Sequence, residues 1–380
     1  MKTIIYWSPY LGHIGTKKST LNSALGLINY GKNIYNVRLI NSLGEWEDAS
    51  NLKRKNFETI NFNRNYYKSL PKGGFIKSRI SYIVFFILSF LPLLSFLKKE
   101  KPDFLIAHLI TSLPIFLFSI FNFRTKLILR ISGYPQLNFI RKSFWKICSK
   151  NIHKITCPSK ELRDKLIELN IFDKNKIEVL YDSVISYKNI IKKKSENIEN
   201  NFKQTKFLLS IGRITKQKNF PLLVDAFFEI KKNNKNLKLL IIGEGEDKNQ
   251  LIDKIKKKGL ENSIELIGFQ NNVYKFFKHS MAFVLPSRWE EMGFVIIEAA
   301  SCNTTIISSN CPNGPSEFLN YGEAGYLFEN NSKDDLVKKI NYFLSDNDKS
   351  INQKKINAKR NTKNFTVFNH FKQLETILSG

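Results

Sequence analysis

The sequence predicts an α/β fold in two domains, each organised around a parallel β-sheet. Three observations carry this. At 380 residues the chain exceeds what one ordinary core holds, so two domains are the natural expectation. Short apolar runs alternate with helix-length segments along most of the length, which is the pattern of βαβ units. A polar stretch, 186–205, rich in Lys, Asn, Glu and Ser, divides these runs into two series.

In the first series the expected strands are Ile4–Trp7, Ile34–Ile40, Phe104–Ala107, Lys126–Ile131, Lys154–Thr156 and Ile177–Leu180. Helix-length segments lie between the later ones, at Phe139–Ser149 and Lys160–Leu169. The second series runs Lys206–Ile211, Leu237–Ile242, Ile264–Leu266, Ala282–Leu285 and Thr305–Ile307. The expected domains are therefore 1–185 and 206–350, joined by an exposed linker at 186–205. Residues 351–380 are read as a C-terminal helix packing back toward the N-terminal domain.

Composition narrows the class. The chain is 42% hydrophobic and 13% aromatic, far from a disordered composition. Cys148, Cys157, Cys302 and Cys311 have neither zinc-site nor disulfide-framework spacing, which suits a reducing cytosol. The N-terminus reaches Ser8-Pro9 after only a few apolar residues, so it reads as a first strand and not as a signal peptide. The net charge is +27, of which residues 1–200 hold +19. Such an excess attracts polyanions: nucleic acid, an anionic bilayer or phosphorylated substrates. Nucleic acid is not favoured, because no helix-turn-helix or zinc spacing appears and the cations are not interleaved with aromatics in a binding module.

Ile80 to Leu97 contains no charged residue and is bracketed by Lys77 and Arg79 before it and by Lys98, Lys99 and Lys101 after it. It is nearly long enough to span a bilayer. A spanning helix would, however, place the strand at Phe104–Ala107 across the membrane from the first strand, and the two could not share a sheet. The segment is expected to be a partly exposed helix lying on an anionic membrane surface. The alternative is an ordinary core helix, and single replacements of Phe85, Phe86, Phe90 and Phe96 by Ser, read by vesicle binding and stability, distinguish an exposed face from a core.

Two clusters carry chemistry. Pro286–Ala300 follows a buried strand, with Gly293 preceding an apolar helical stretch, so free backbone N–H groups at the helix start are available to an electron-rich oxygen. Glu290 falls in the loop before that helix and Glu298 one to two turns inside it, placed to accept hydrogen bonds from sugar or ribose hydroxyls. Ser210–Phe220 forms the second cluster: a strand ends at Gly212, and Arg213 and Lys218 stand in a short loop before a helix. Two cations at the C-terminal edge of a parallel sheet suit a diphosphate and the charge that develops on its departure.

The Glu290–Glu298 spacing and the Gly212-Arg213…Lys218 loop resemble elements of glycosyltransferase family 4. The resemblance extends to Gly12-His13-Ile14-Gly15, to Pro102-Asp103…His108, and to Cys157-Pro158-Ser159. It continues through Gly243-Glu244-Gly245 and Gly314-Pro315-Ser316-Glu317, covering Met1 to about Phe328. It implies a GT-B fold, two facing Rossmann-like doubly wound domains with a cleft between them. It also implies retaining transfer from an activated sugar, with no essential metal and no cofactor. Ile131–Pro135…Arg141 and Cys311–Pro315 look like bacterial surface-polysaccharide transferases, which use UDP-hexoses or UDP-N-acetylhexosamines.

Carried over, Arg213 and Lys218 would bind the diphosphate, Glu298 the ribose, and Glu290 with the amides of Glu291, Met292, Gly293 and Phe294 the transferred sugar. Gly15 and Gly212 would also belong to the donor site, and His108 would meet the sugar and acceptor from the other domain. Glu291 and Met292 replace the family's usual small residue and phenylalanine, which leaves the identity of the sugar open. The expected partners are a UDP-sugar donor, a lipid-linked saccharide acceptor and an anionic membrane surface, on the inner face of the cytoplasmic membrane. A phosphorylase or an epimerase on the same fold is the competing reading.

Two further motifs are set aside. Gly243-x-Gly245 has Lys248 where a dinucleotide fingerprint needs its third glycine. Asp346-Asn347-Asp348 has a D-x-D pattern but lies in a polar turn, not after a buried strand.

Overall fold

The computed structural model describes residues 1–11, 15–47, 58–63, 65–71, 75–135 and 137–380. The chain forms two compact units: unit 1 is Met1–Ser183 with Val367–Gly380, and unit 2 is Val184–Thr366.

Unit 1 runs β1 (Lys2–Trp7), α1 (Gly15–Tyr30), β2 (Tyr35–Asn41), β3 (Glu58–Asn61), α2 (Phe75–Glu100), β4 (Phe104–His108) and α3 (Ser112–Ile120). It continues with β5 (Lys126–Arg130), α4 (Phe139–Cys148), β6 (Ile152–Cys157), α5 (Lys160–Glu168) and β7 (Ile177–Val179). Its strands form one parallel sheet in the order β3-β2-β1-β4-β5-β6-β7. Helices cover both faces, which is why a central strand such as β4 is buried along its whole length. On one face Ile5, Trp7, Leu105 and Leu129 pack with α2, α3, α4 and α5. On the other, Ile4, Tyr6, Ile106 and Ile128 pack with α1. Local signals start the helices: Asn138 accepts from Arg141 N at 2.9 Å to cap α4, and Ser159 accepts from Leu162 N at 3.1 Å to cap α5.

Unit 2 runs α6 (Tyr187–Lys194), α7 (Asn200–Lys203), β8 (Phe207–Ile211), α8 (Phe220–Asn233), β9 (Lys238–Ile242), α9 (Lys248–Lys257), β10 (Ile264–Gly268) and α10 (Tyr274–His279). It ends with β11 (Ala282–Leu285), α11 (Phe294–Ser301), β12 (Thr305–Ser309), α12 (Pro315–Phe318), β13 (Tyr326–Phe328), α13 (Lys333–Ser345) and α14 (Asp348–Asn361). The sheet order is β10-β9-β8-β11-β12-β13, again all parallel. A final helix, α15 (Val367–Ser379), returns to unit 1 and packs on α1.

The expected alternation of strands and helices is present in both units. The stretch expected as an exposed linker, 186–205, is instead the start of unit 2. It forms α6 and α7, and three of its apolar residues, Ile190, Ile198 and Phe202, are buried while Ile191 and Tyr187 stay exposed. Phe202 lies against Phe207 and Phe276, with ring centroids 6.3 and 6.1 Å away. Residues 351–380 likewise divide: α14 stays in unit 2 and only α15 joins unit 1. The segment Ile80–Leu97 is helical, but its phenylalanines turn inward. Phe85 is fully buried, and Phe86, Phe90 and Phe96 pack half-buried on the core.

A buried polar network ties α15 to the sheet of unit 1. His370 Nδ1 donates to the Tyr181 carbonyl at 2.5 Å, which fixes the tautomer, so Nε2 accepts from Ser23 Oγ at 2.7 Å. The Ser23 oxygen in turn takes the Tyr6 hydroxyl at 2.8 Å. Beside it Arg130 pairs with Asp182 at 2.7 Å, and Ser19 donates to the same Asp182 oxygen at 2.6 Å. These groups line a cavity of about 20 Å³.

Candidate active site

In an open parallel sheet, ligands bind beyond the C-terminal strand ends where the strand order reverses. In unit 2 that point lies between β8 and β11. The two loops leaving these strands, 212–219 and 286–293, are the two segments with candidate chemistry, so the topology brings together what the sequence holds 72 residues apart.

Glycines let three loops close on one another. A Cβ on Gly243, whose φ is +148°, would sit 1.9 Å from the Gly212 carbonyl oxygen, and one on Gly245 would sit 2.2 Å from the Ile214 oxygen. The backbone bonds Gly212 N to Ile242 O and Ile214 N to Glu244 O, both 3.0 Å, hold that approach. Gly243-x-Gly245 is therefore the packing surface of the loop after β8. Gly314 supports the other side in the same way: its added Cβ would meet the Glu291 oxygen at 2.5 Å.

Cross-bonds then fix the loop after β8 to the loop after β11. Arg288 N donates to Gln217 O at 2.8 Å, and Gln217 Nε2 donates to Trp289 O at 2.9 Å. The result is a close pair, Lys218 Nζ to Glu290 Oε1 at 2.5 Å, with the Lys218 stem laid over Gly212. Ser287 Oγ donates to the same Oε1 at 2.5 Å. Both bonds fall on one oxygen of the buried carboxylate, so Oε2 carries no bond among the described residues and remains free to accept. Arg213 follows Gly212 and is exposed. Burial pushes the neighbouring Cys311 thiol up to about 11, so it stays protonated and is no nucleophile.

Gly293, at φ +68°, turns the chain into α11. The first amides of that helix have no intrahelical acceptor and point out of its N-terminus. Met292 is fully buried and anchors the turn, whereas Glu291 is exposed. Glu298, half-buried on α11, accepts from the Tyr274 hydroxyl of α10 at 3.0 Å. Ser287, Tyr274 and the glycine contacts were not among the sequence candidates. Tyr274 and the glycines meet partners on other βα units, a three-dimensional signal, whereas Ser287 lies three residues from Glu290 in the same loop.

In unit 1 the equivalent reversal lies between β1 and β4. His108 ends β4 there. It is buried, with Nδ1 3.1 Å from Thr20 Oγ1 of α1 and Nε2 2.7 Å from Ser132 Oγ. Burial, with the Arg130 charge nearby, pushes it down to about 3, so the ring is neutral at physiological pH. Gly15 is the first, exposed residue of α1, and the preceding Gly12-His13-Ile14 lie outside the described residues. Asp346 of the D-x-D pattern is held locally, accepting from Tyr326 at 2.6 Å and from Ser350 Oγ at 2.8 Å, while Asn347 caps α14.

Residues 191–362 match a family described as glycosyl transferases group 1. An uncharacterised glycosyltransferase of Methanocaldococcus jannaschii is 33% identical over 60% of this chain and 60% of its own length. The N-acetylgalactosamine-N,N'-diacetylbacillosaminyl-diphospho-undecaprenol 4-alpha-N-acetylgalactosaminyltransferase of Campylobacter jejuni is 29% identical over 64% of this chain and 67% of its own length. The chain thus spans about three fifths to two thirds of these relatives. Among solved structures, a glycosyltransferase from Rickettsia africae superposes with a TM-score of 0.79 at 18% identity, covering 100% of this chain and 98% of that one. Anabaena HepE in complex with UDP and glucose gives 0.74 at 16% identity, with both chains covered in full. These likenesses show the fold, GT-B.

Proposed function

We propose that the chain, whose residues 191–362 match the glycosyl transferases of group 1, moves a hexose or N-acetylhexosamine from a UDP-sugar onto a lipid-linked oligosaccharide, with retention at the anomeric carbon. The observation that carries this reading is the Lys218–Glu290 pair set beside the open N-terminus of α11. Lys218 has three donors and gives one to Glu290, so it can bridge that carboxylate and a phosphate oxygen. Exposed Arg213 supplies the second cation, and the two neutralise the departing nucleoside diphosphate, a task that needs no divalent ion. Glu290 Oε2 and the amides from Glu291 to Phe294 take the sugar hydroxyls, and Glu298 takes the ribose. Neutral His108 serves as a hydrogen-bonding group for sugar and acceptor, not as a fixed charge.

The acceptor class draws support from the Campylobacter relative, whose name specifies a diphospho-undecaprenol-linked saccharide, and the donor class from the Anabaena structure, which holds UDP and glucose. The enzyme would act from the cytosol as a peripheral protein of the inner membrane face, in surface-polysaccharide synthesis. Radiolabelled UDP-sugars offered with lipid-linked acceptors test this. Label passing to the lipid fraction with an α-linkage is the expected outcome. Label that stays on nucleotide as an isomer, or moves only to phosphate, would replace the reading with an epimerase or a phosphorylase.

A further inference from the structure

We propose that the outer face of α2, with α4 beside it, is a docking surface for an anionic phospholipid bilayer, on which α2 lies in the plane of the membrane. This deepens the peripheral-membrane reading above and rests on it for its purpose, though the argument comes from unit 1 alone. The helix is long and apolar enough to cross a bilayer, yet it is committed to the core along one side. Ser81, Phe85, Ser89, Leu93 and Leu97 recur every fourth residue and are buried. The opposite side is the unusual one. Ile80, Ile83, Ile87 and Leu91 are 47, 58, 65 and 70% exposed, a single aliphatic stripe about 17 Å long. An ordinary surface helix turns its serines out and its isoleucines in. Here Ser81 is bonded inward to the Pro71 carbonyl at 2.7 Å and Ser89 inward to Ser42, while the isoleucines face out.

Neighbouring elements extend the face and give it a charge. The rings of Phe86, Phe116 and Phe144 join α2, α3 and α4, with centroids 5.7 and 6.5 Å apart. The helix α4 adds Phe139, 85% exposed, and Ile147, 70% exposed, with Lys142 and Lys146 exposed between them. Burial, with the Arg79 charge of α2 acting in the same direction, lowers the pKa of Arg141 at the start of α4. Lys98 and Lys99 are exposed at the far end of the stripe. Residues 59–160 contain 17 Lys and Arg but only two acids, Glu100 and Asp103. Glu100 faces Arg38 at 3.5 Å and Asp103 accepts from Thr3 N at 2.7 Å, so neither opposes the surface. An apolar stripe with a cationic rim fits acyl chains beneath anionic headgroups, with the long basic side chains reaching up to the phosphates. A second copy of the chain is the wrong occupant, because it would bring one cationic rim against another.

The test is co-sedimentation with phosphatidylcholine vesicles, with and without phosphatidylglycerol, at low and at raised salt. The wild type should bind only the anionic vesicles and be released by salt. Ile83→Asp/Ile87→Asp should not bind, while keeping its melting temperature and its transfer to a water-soluble acceptor. Lys77→Gln, Lys142→Gln and Lys146→Gln should each weaken vesicle binding about five-fold. Equal binding by the wild type and the double aspartate variant overturns the proposal, as does a wild type that ignores anionic vesicles at low salt. A dimer that the aspartates split, without any vesicle binding, overturns it in favour of self-association. Transfer without vesicle binding would sink this face and spare the transferase reading; vesicle binding without transfer would do the reverse.

Discussion

Lys218 and Arg213 both stand at the proposed diphosphate site, but their surroundings separate them. Arg213 is exposed, so Arg213→Ala should cut transfer about 10- to 150-fold and leave the melting temperature unchanged. Lys218→Ala should lose activity to a similar degree and also strand the buried Glu290 carboxylate, costing about 1–3 kcal/mol of stability. Thermal melts beside initial rates decide this, and equal melting temperatures for the two variants would show that the pair is not a structural one. A second prediction concerns His108 and His370. Burial holds both neutral, pushed down to about 3 and about 4 from the ordinary 6.5. Folding lowers these values, so their contribution is complete above about pH 6.5 and is lost as pH falls from there toward 3. The loss should be on the order of a few kcal/mol, read from denaturant midpoints across that range, and His370→Gln should flatten the profile. At this scale local spacing singled out the glutamates and the cations as candidates, while His108 entered only through the family resemblance. The sequence hid Tyr274, whose partner on α11 is chosen only by folding, and did not single out Ser287, although that residue stands three before Glu290 in the same loop.

The βα loops of unit 2 pass backbone against backbone, which leaves no room for a side chain. Gly243→Ala should therefore destabilise by about 2–4 kcal/mol and abolish donor binding, whereas Gly259→Ala, at a φ of +65° but in open space, should cost only about 1 kcal/mol. Urea titrations of the two variants check the contrast, and similar losses would mean that the loop contact carries no stability. Element reading from sequence worked where runs were apolar and buried on both faces, as in β4, β8 and β11. It missed β3, only half-buried and at the sheet edge, and β13, three residues long. It also took 186–205 for a linker, because α6 and α7 fix themselves with only three buried apolar side chains, too few for a visible period. In α2 it recognised a long apolar helix but not its orientation, since apolar residues on both sides leave no periodicity to follow.

For the whole molecule, the division into two parallel-sheet units was legible from length and alternation, but the place of the break was not. Unit 2 is a continuous stretch inserted into a discontinuous unit 1. Residues 184–366 produced alone should fold cooperatively and bind UDP, which calorimetry of the isolated piece can check; a piece that stays unfolded would show that the units are not independently stable.

The return of α15 to unit 1 also sets an order of events during synthesis. Phe371, Leu374, Ile377 and Leu378 complete a cluster whose other members include Ile4 and Tyr6 of the first strand, and Lys2 Nζ donates to the Leu378 carbonyl at 2.9 Å. Gly26 of α1 lets α15 approach closely, with the Val367 side chain within 3.4 Å of where a Cβ would stand. On the ribosome, β1 and α1 emerge first and wait with an uncovered apolar groove while all of unit 2 is translated. The unit made first is thus the last to close. A nascent chain stalled anywhere between residues 184 and 366 would expose that groove to chaperones or to a neighbouring nascent chain, and a late frameshift would leave a finished unit 2 attached to a unit 1 whose groove stays uncovered.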